Sequence, residues 1–443
     1  MARRVARVRL VAAAWLLAAA MPALAILPIQ SWQAQSGARV IFVQTRNLPM
    51  LDVSVEFPAG SAFNAREKAG LAAFTQRLLQ LGAGGLSDDD IARRIADVGA
   101  QLGGGLDNDR AGISFRTLTS AAELEQTLDV AARVLQRPDF PPPVIERERA
   151  RLLGAIRESL TRPETLLGRA FSAAIYGDHP YGVPSSGELD TVAKLTREEL
   201  VDFHRRHYVA DRAVVSLIGD ITRDQAEAIA ERLTGTLPRA GTPLAVPPVT
   251  PPAAARQQTI EHPATQAHVV MGLPVLSRDD PDFFPLVVGN HILGGGGFAS
   301  RINEEVRQKR GLAYSAYSSL AAYRRPGPFA IGLQTQKEQA GEALAVVRET
   351  LARFLAEGPT DKELADAKQN LVGGFPLRID SNRKILDFLA VIGFYGLPLT
   401  YLEDYVVRVQ QVSTADIRDA FARRVDPARM ATVVVGADPG SVR

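Results

Sequence analysis

Cysteine is absent from this 443-residue sequence. The chain therefore has no disulfide, no thiol nucleophile and no thiolate metal ligand. No cysteine is present to carry a lipid anchor after a leader peptide. Histidine is also scarce, with six residues, so an imidazole metal site has few candidate ligands.

A strong charge bias and long apolar runs are missing as well. The formal net charge is +2, and without the four arginines of the first 25 residues, which contain no acid, it becomes −2. That balance does not indicate nucleic acid or an anionic membrane as a partner. The apolar run 10–20 is too short to span a bilayer, and with its basic lead and the small residues Ala23 and Ala25 it is typical of a signal peptide, residues 1–25. We therefore expect a secreted, periplasmic protein that does not insert into the membrane.

The rest of the chain consists of two related halves. The segments that end at Gly219 and Gly436 each contain a capped helix, a turn and a β-branched strand, at an offset of 217 residues. Such an offset indicates a duplicated domain, because solenoid units are only about 20 to 50 residues long. The proline-rich stretch 238–256 is typical of a linker. The predicted domains are therefore 26–237 and 257–443.

Each half shows the same succession of strands and helices. Residues 53–57 and 112–116 alternate as half-buried strands do. Residues 121–135 and 197–207 have helical spacing. We predict an α+β fold of two homologous domains, each a mostly antiparallel sheet with helices packed on one face. Glycines 103–105 fall between a predicted helix and a predicted strand, and we predict a turn there.

The stretch GLAAFTQRLL, which begins at Gly70, has the apolar rhythm of an amphipathic helix. Residues three and four apart share a helix face, so Ala73, Gln76 and Arg77 project together. On periodicity alone, this is a core helix with a polar edge.

The same stretch resembles the segment GLAHFLEHMLFKG of the pitrilysin/insulinase zinc metallopeptidases, an inverzincin family. In that family H-x-x-E-H puts two zinc-binding imidazoles and a general-base carboxylate on one helix face. Here Ala73 and Arg77 occupy the histidine positions and Gln76 the glutamate position. Alanine has no donor atom, glutamine cannot take a proton from water, and a guanidinium repels Zn²⁺. The resemblance implies three lost motif positions, no catalytic residue of its own and no metal bound by this chain.

The remaining zinc ligand of the family is a glutamate in a later helix. The matching helix here is ERERARLLGAIRESL, residues 146–160, and the ligand is expected at Leu153, Gly154 or Ala155. No carboxylate stands at these positions, and Glu158 is displaced by about 5 Å along the helix. His204 and His207 are spaced for one helix face, but no third ligand accompanies them.

A second segment, which runs from Leu293 to Leu320 and includes GGGGFASRINEEVRQKRGLAYS, resembles the C-terminal domain of the same family. The resemblance implies that Arg307 and Tyr314 hold the substrate backbone and stabilise the oxyanion of the tetrahedral intermediate, where a fixed cation and a phenol supply electrostatic stabilisation. The structural alternative is that Arg307 caps or salt-bridges the acidic helix residues 303–305 and that Tyr314 is an ordinary strand aromatic.

The glycines of this segment, Gly295, Gly296 and Gly297, are implied substrate contacts in a flexible loop before a helix. A phosphate-binding loop is the competing interpretation, but no G-K-[ST] follows the glycines.

Some bacterial members of the family work as pairs of half-length chains, one with the zinc motif and the other with the Arg/Tyr pair. The resemblance implies that this chain is the non-catalytic, substrate-binding subunit of such a heterodimeric zinc endopeptidase. Its partner would be a homologous zinc-bearing subunit, and an unfolded peptide would add to a strand edge near Arg307 and Tyr314. Two alternatives remain: a catalytically dead scaffold or peptide-binding protein of the same fold, and an autonomous peptidase with a relocated metal.

Overall fold

The computed structural model describes residues 28–239, 245–438 and 440–442. The predicted leader, residues 1–25, and residues 240–244 of the predicted linker lie outside these ranges. None of the helices in the described ranges combines the length and apolar character that crossing a membrane requires.

Twelve strands and fourteen α-helices form within the described residues. The strands are β1 Gln30–Gln33, β2 Arg39–Gln44, β3 Met50–Phe57, β4 Gln101–Leu106, β5 Ala111–Leu118, β6 Val214–Gly219, β7 Arg256–Ile260, β8 Gln266–Ser277, β9 Ala313–Leu320, β10 Ala322–Tyr323, β11 Gly327–Gln336 and β12 Ala431–Val435. The helices are α1 Leu71–Leu78, α2 Asp88–Asp97, α3 Ala121–Gln136, α4 Pro142–Ser159, α5 Pro163–Tyr176, α6 Leu189–Lys194, α7 Arg197–His207, α8 Arg223–Thr234, α9 Phe283–Asn290, α10 Ala340–Glu357, α11 Asp361–Gly374, α12 Asn382–Tyr395, α13 Tyr401–Gln411 and α14 Thr414–Arg424.

The strands form one sheet in each half. The first has the order β1-β2-β6-β3-β5-β4, and the second has the order β7-β12-β8-β11-β9 with β10 paired to β8. Most neighbours are antiparallel, whereas β2–β6, β7–β12 and β8–β10 are parallel. The predicted α+β fold of two sheet-and-helix halves is confirmed. The domain boundaries 26–237 and 257–443 stay predictions.

Each half buries one face of its sheet under its own helices. Phe74 of α1 and Phe115 of β5 lie in the first core, and Phe329 of β11 and Phe421 of α14 lie in the second, all at most 1% exposed. Burying one such side chain contributes about 1.5 to 3 kcal/mol. These clusters fix the positions of the strand ends and helices that carry the candidate site.

The opposite face of each sheet is covered by a helix from the other half. Helix α5 packs Phe171 and Ile175 against the second sheet at Val433. Helix α12 packs Leu386 and Leu389 against the first sheet in the same way. The two helices begin at residues 163 and 382, close to the 217-residue offset. The duplicated halves therefore exchange equivalent helices.

Glycines 103–105 lie inside the edge strand β4, so the predicted turn is wrong there. Glycine is a weak strand former and gives no periodic side-chain signal. Close approach requires glycine at position 104 alone, where a Cβ would lie 2.3 Å from the Gly112 carbonyl oxygen and 2.7 Å from Nε2 of Gln76.

Candidate functional site

Helix α1 presents the three motif positions on one face. Leu71, Phe74 and Leu78 point into the first core, whereas Ala73, Gln76 and Arg77 keep solvent contact. The first turn is anchored by Asn64, whose Oδ1 accepts a hydrogen bond from the Ala72 N–H at 2.9 Å. The structure therefore places these three residues together, as helical periodicity predicts.

Arg77 forms an ion pair with Glu148 of α4. Its Nε and Nη2 donate to Oε2 of Glu148 at 2.9 and 2.7 Å. Oε1 of the same carboxylate accepts from Nε of Arg147 at 3.0 Å and from Nη1 of Arg151 at 2.7 Å. The Glu148 side chain is only 1% exposed. One buried carboxylate therefore holds three guanidinium groups beside α1.

The arginines keep this carboxylate charged. Burial alone raises the pKa of Glu148, but hydrogen bonds from Arg77 and Arg147 outweigh it and bring the pKa below its usual value. Removing one partner of such a buried ion pair is destabilising, because the other charge then stays buried without compensation. The cluster therefore ties α1, which carries the three motif positions, to α4.

The residues present do not fit a zinc ion. Zinc needs anionic or neutral donor atoms around it, whereas the one carboxylate of this cluster is surrounded by the permanent cations of Arg77, Arg147 and Arg151. In the described ranges, no three His, Cys, Asp or Glu residues group in a way that could hold a metal ion.

His204 and His207 of α7 are structural. Their ring nitrogens hydrogen-bond the carbonyl oxygens of Leu135 and Pro58 at 2.8 and 3.1 Å. Burial lowers the pKa of each to about 4, so both rings are neutral near pH 7.

The Arg307 guanidinium lies between two exposed rings. Its Cζ is 4.8 Å from the ring centre of Phe298 and 5.6 Å from that of Tyr314, within cation–π range. Phe298 is 67% and Tyr314 75% exposed. The structure therefore brings Arg307 and Tyr314 together on the surface.

The neighbouring acids have other partners. Glu305 pairs with Lys309, Arg310 and Arg353, and Glu304 pairs with Lys309. Among the described residues, neither a hydrogen bond nor an ion pair engages the Arg307 guanidinium. Its N–H groups are therefore available to a ligand.

A β-bulge places Tyr314. On the edge strand β9, Ala313 pairs with Thr335 and Ser315 with Gln334, so Tyr314 is the extra residue. A bulge turns a side chain away from the regular alternation and is common beside active sites. The turn before it uses Gly311, whose φ of +63° favours glycine.

The glycine run is helical and is not the loop that the sequence predicts. His291–Gly295 form a π-helical turn, and Gly297–Ala299 form a 3-10 turn. A π-helical segment is rare and often marks a functional site. The reason is space, because a Cβ at Gly294 would lie 2.3 Å from the Ser318 nitrogen of β9. Gly295 and Gly296 lie in or directly after this compact turn, next to the Phe298 ring.

The Arg77 cluster and the Arg307–Tyr314 pair are separate groups, one in each half of the chain. The Arg77 cluster lies beside β4 in the first half, and Arg307 with Tyr314 lies beside β9 in the second half. Within the ranges that the structure describes, no hydrogen bond, ion pair or ring contact joins them.

The segment that carries Arg307 also contains Arg301, which forms an acid-sensitive ion pair with Glu363. Arg301 donates Nε and Nη2 to the two oxygens of Glu363 at 2.6 and 2.7 Å. Burial raises the pKa of Glu363, but the hydrogen bonds from Arg301 and from the Thr360 backbone outweigh burial and lower the pKa to about 2. The folded pKa is below the unfolded value of 4.5, so the stabilisation is complete above about pH 4.5 and is lost as pH falls toward 2.

We therefore expect Glu363→Gln to reduce the pH dependence of stability. Between pH 6 and pH 3 the wild-type chain should lose about 1 kcal/mol more unfolding free energy than the variant, a value discounted for the partial exposure of the pair. Urea unfolding of both proteins at the two pH values measures the difference. Equal losses would show that Glu363 is not a linkage site.

The comparisons with known proteins point to one family. A family model described as "Insulinase (Peptidase family M16)" matches residues 39–188, and one described as "Peptidase M16 inactive domain" matches residues 194–371. An uncharacterized zinc protease of Mycobacterium leprae is 31% identical over 358 residues, which cover 78% of each chain. The chain belongs to peptidase family M16.

Two further M16 relatives indicate which kind of family member this chain resembles. A solved structure titled as a peptidase M16 inactive domain from Pseudomonas fluorescens is 35% identical, with a TM-score of 0.89, and covers 93% of this chain and 98% of that one. A Helicobacter pylori protein named a non-peptidase homolog is 25% identical over 399 residues, 87% of this chain and 88% of that one. The chain is thus similar to non-catalytic members of the M16 family.

Glu148 is the partner of Arg77 that the sequence did not predict. The resemblance concerned the zinc ligand and therefore indicated positions 153–155. Glu148 lies seven residues, or two turns, before Ala155 on the same face of α4. The signal available was Arg77 itself, since a guanidinium pairs favourably with a carboxylate on a facing helix.

Proposed function

We propose that this M16 chain is the non-catalytic, substrate-binding subunit of a heterodimeric zinc endopeptidase. It supplies Arg307 and Tyr314 to a peptide-cleaving site whose zinc is held by a homologous partner chain. The observation that carries the proposal is the Arg307 guanidinium, which lies near the exposed rings of Phe298 and Tyr314 and has no hydrogen-bond or ion-pair partner among the described residues.

The chemistry of this group suits an acyl-transfer transition state. A guanidinium and a phenol that are held in advance can donate hydrogen bonds to an oxygen as it gains negative charge. The motif face of α1 carries the Arg77–Glu148 ion pair, whose permanent cation does not suit a zinc ion in this chain. The attacking water and its activation would then come from the partner's site.

The edge strand β9 offers a place for the peptide. Among the described strands it pairs only with β11, so no second strand covers its other edge. An extended peptide can add to such an edge by β-augmentation. Tyr314 on this strand would then lie beside the peptide backbone. The signal-like N-terminus of this chain supports a periplasmic location for it.

The test is reconstitution with a purified M16 chain that carries an intact H-x-x-E-H motif. Cleavage of a fluorogenic peptide is measured for each chain alone and for the mixture, with and without a zinc chelator. We expect chelator-sensitive cleavage that rises at least tenfold on mixing and is absent for this chain alone. Chelator-sensitive cleavage by this chain alone would contradict the proposal.

The second candidate is a catalytically dead scaffold or peptide-binding protein, and the non-peptidase homolog of Helicobacter pylori favours it. It predicts a stable complex whose partner cleaves the peptide equally fast with and without this chain. The same reconstitution therefore separates the two candidates.

A further inference from the structure

A pocket of about 610 Å³ lies between α1, α4 and the edge strand β4. Gln76 and Arg77 line it from α1, Arg147 and Arg151 line it from α4, and the backbone of glycines 103–104 lines it from β4. The proposed zinc-dependent site does not use this pocket. It is open to solvent at the face that carries the lost motif.

The pocket has spare hydrogen-bond donors. Glu148 accepts four N–H bonds and is saturated. A guanidinium has five N–H groups, of which Arg77 uses two and Arg151 one in these contacts. Their side chains are 51% and 62% exposed. For the remaining N–H groups of both, no partner is found in the part of the chain that the structure describes.

Two of the three acidic side chains that line the pocket are paired with arginines, and the third is exposed. Oδ2 of Asp88 accepts from Nη2 of Arg147 at 2.7 Å, and Asp89 is an exposed residue at the start of α2. The six charged side chains of the lining sum to zero, so net charge does not select a ligand. Selectivity for a carboxylate comes from placement, since Glu148 and Asp88 are engaged by arginines, whereas Arg77 and Arg151 keep N–H donors that no partner in the described residues uses.

The edge strand β4, which lies beside the pocket, can bind an extended peptide next to it. Among the described strands β4 pairs only with β5, which leaves the backbone of its outer edge unpaired. Gly103 has open space where a side chain would stand, with no atom within 4 Å of a Cβ there. A second backbone can therefore approach β4 closely.

We infer that this pocket binds a carboxylate of an extended peptide, either the C-terminal group or an acidic side chain, through Arg77 and Arg151. Guanidinium groups pair with carboxylates through two parallel hydrogen bonds, and a neutral backbone carbonyl cannot match them. The inference goes beyond the proposed function, because it concerns the first half of the chain and requires neither partner nor metal. A C-terminal carboxylate is also the group that peptide hydrolysis creates.

The test is fluorescence anisotropy with the purified chain alone and N-terminally labelled peptides of about ten residues rich in Val, Thr and Ser. One peptide has a free C-terminus and no acidic side chain, the second is its C-terminal amide, and the third is the amide with one internal Glu. We expect the amide to bind at least about tenfold more weakly than the acid or the Glu peptide. Whichever carboxylate restores binding identifies its source. Equal affinity of all three peptides would overturn the inference.

Variants locate the contact. Arg151→Gln and Arg77→Gln should weaken the tighter peptide by about tenfold and leave the amide unchanged. Arg205→Gln is the matched control, because Arg205 is exposed on α7 and pairs only with Asp202 among the described residues. Circular dichroism checks folding, and Arg151→Gln carries the test if Arg77→Gln unfolds. Wild-type affinity in the folded Arg151→Gln chain would overturn the inference.

Discussion

Replacing Arg307 by alanine is expected to lower the turnover of the reconstituted M16 heterodimer by about 100-fold or more. Removing a single oxyanion donor typically costs 10² to 10³ in rate. The Arg307 guanidinium has no carboxylate partner in the described residues that would attenuate its charge. It is also oriented by two rings, at 4.8 and 5.6 Å, so little reorganisation is required when a ligand arrives. The measurement is kcat and KM for a fluorogenic peptide.

Tyr314→Phe separates the hydroxyl from the ring. It keeps the aromatic face against Arg307 and removes one donor, so we expect a smaller loss in kcat, about tenfold to 100-fold. Arg307→Lys keeps the charge but loses the planar fork, and should recover only part of the Arg307→Ala loss.

Arg310→Ala is the matched control for both substitutions. Arg310 lies three residues from Arg307, but it pairs with Glu305, which retains Lys309 and Arg353 as partners. Its turnover should stay near the wild-type value, and all variants should form the heterodimer in size-exclusion chromatography. Unchanged kcat in both Arg307→Ala and Tyr314→Phe would show that the pair is only structural.

Features that depend on local periodicity could be predicted from the sequence. The apolar face of α1 and the grouping of Ala73, Gln76 and Arg77 follow from the 3.6-residue repeat alone. The two-half α+β fold follows from the 217-residue offset together with strand and helix spacing. These signals are local or repeat along the chain, and the structure keeps them because each element buries the face that its pattern marks.

Contacts between distant segments could not be predicted in the same way. Arg77 and Glu148 are 71 residues apart, and the sequence does not show that α4 directs Glu148 toward α1. The strand at glycines 103–105 was not predicted because glycine leaves no side-chain pattern. The compact turn at Gly295 was not predicted because a glycine run suggests a flexible loop, whereas a Cβ would collide with Ser318 of β9 at Gly294, with Asn290 at Gly295 and with His291 at Gly296.

The exchange of α5 and α12 makes the two halves depend on each other, and one carboxylate lies at their junction. Asp109, in the turn between β4 and β5, is 1% exposed. Its Oδ2 accepts from the Tyr395 hydroxyl at 2.8 Å and from the Arg324 N–H at 2.7 Å, and its Oδ1 accepts from the Tyr181 hydroxyl. Burial, together with the Asp109 charge, raises the pKa of both tyrosines. Both hydroxyls therefore remain protonated donors at neutral pH.

Asp109→Ala is expected to destabilise the chain by about 3 kcal/mol, because it removes the acceptor of one buried donor, the Tyr181 hydroxyl, and of two partly buried donors, the Tyr395 hydroxyl and the Arg324 N–H. Urea unfolding measures the change, and Asp109→Asn, which retains one acceptor oxygen, should lie between it and the wild type. The control is Asp178→Ala, since Asp178 is fully exposed and its surface pair with Arg66 is worth less than about 1 kcal/mol. A loss as small as the control's would mean that the Asp109 cluster does not hold the halves together. A large loss, with faster hydrogen exchange in α12, would mean that the β4 and β9 edges are held in a fixed relation.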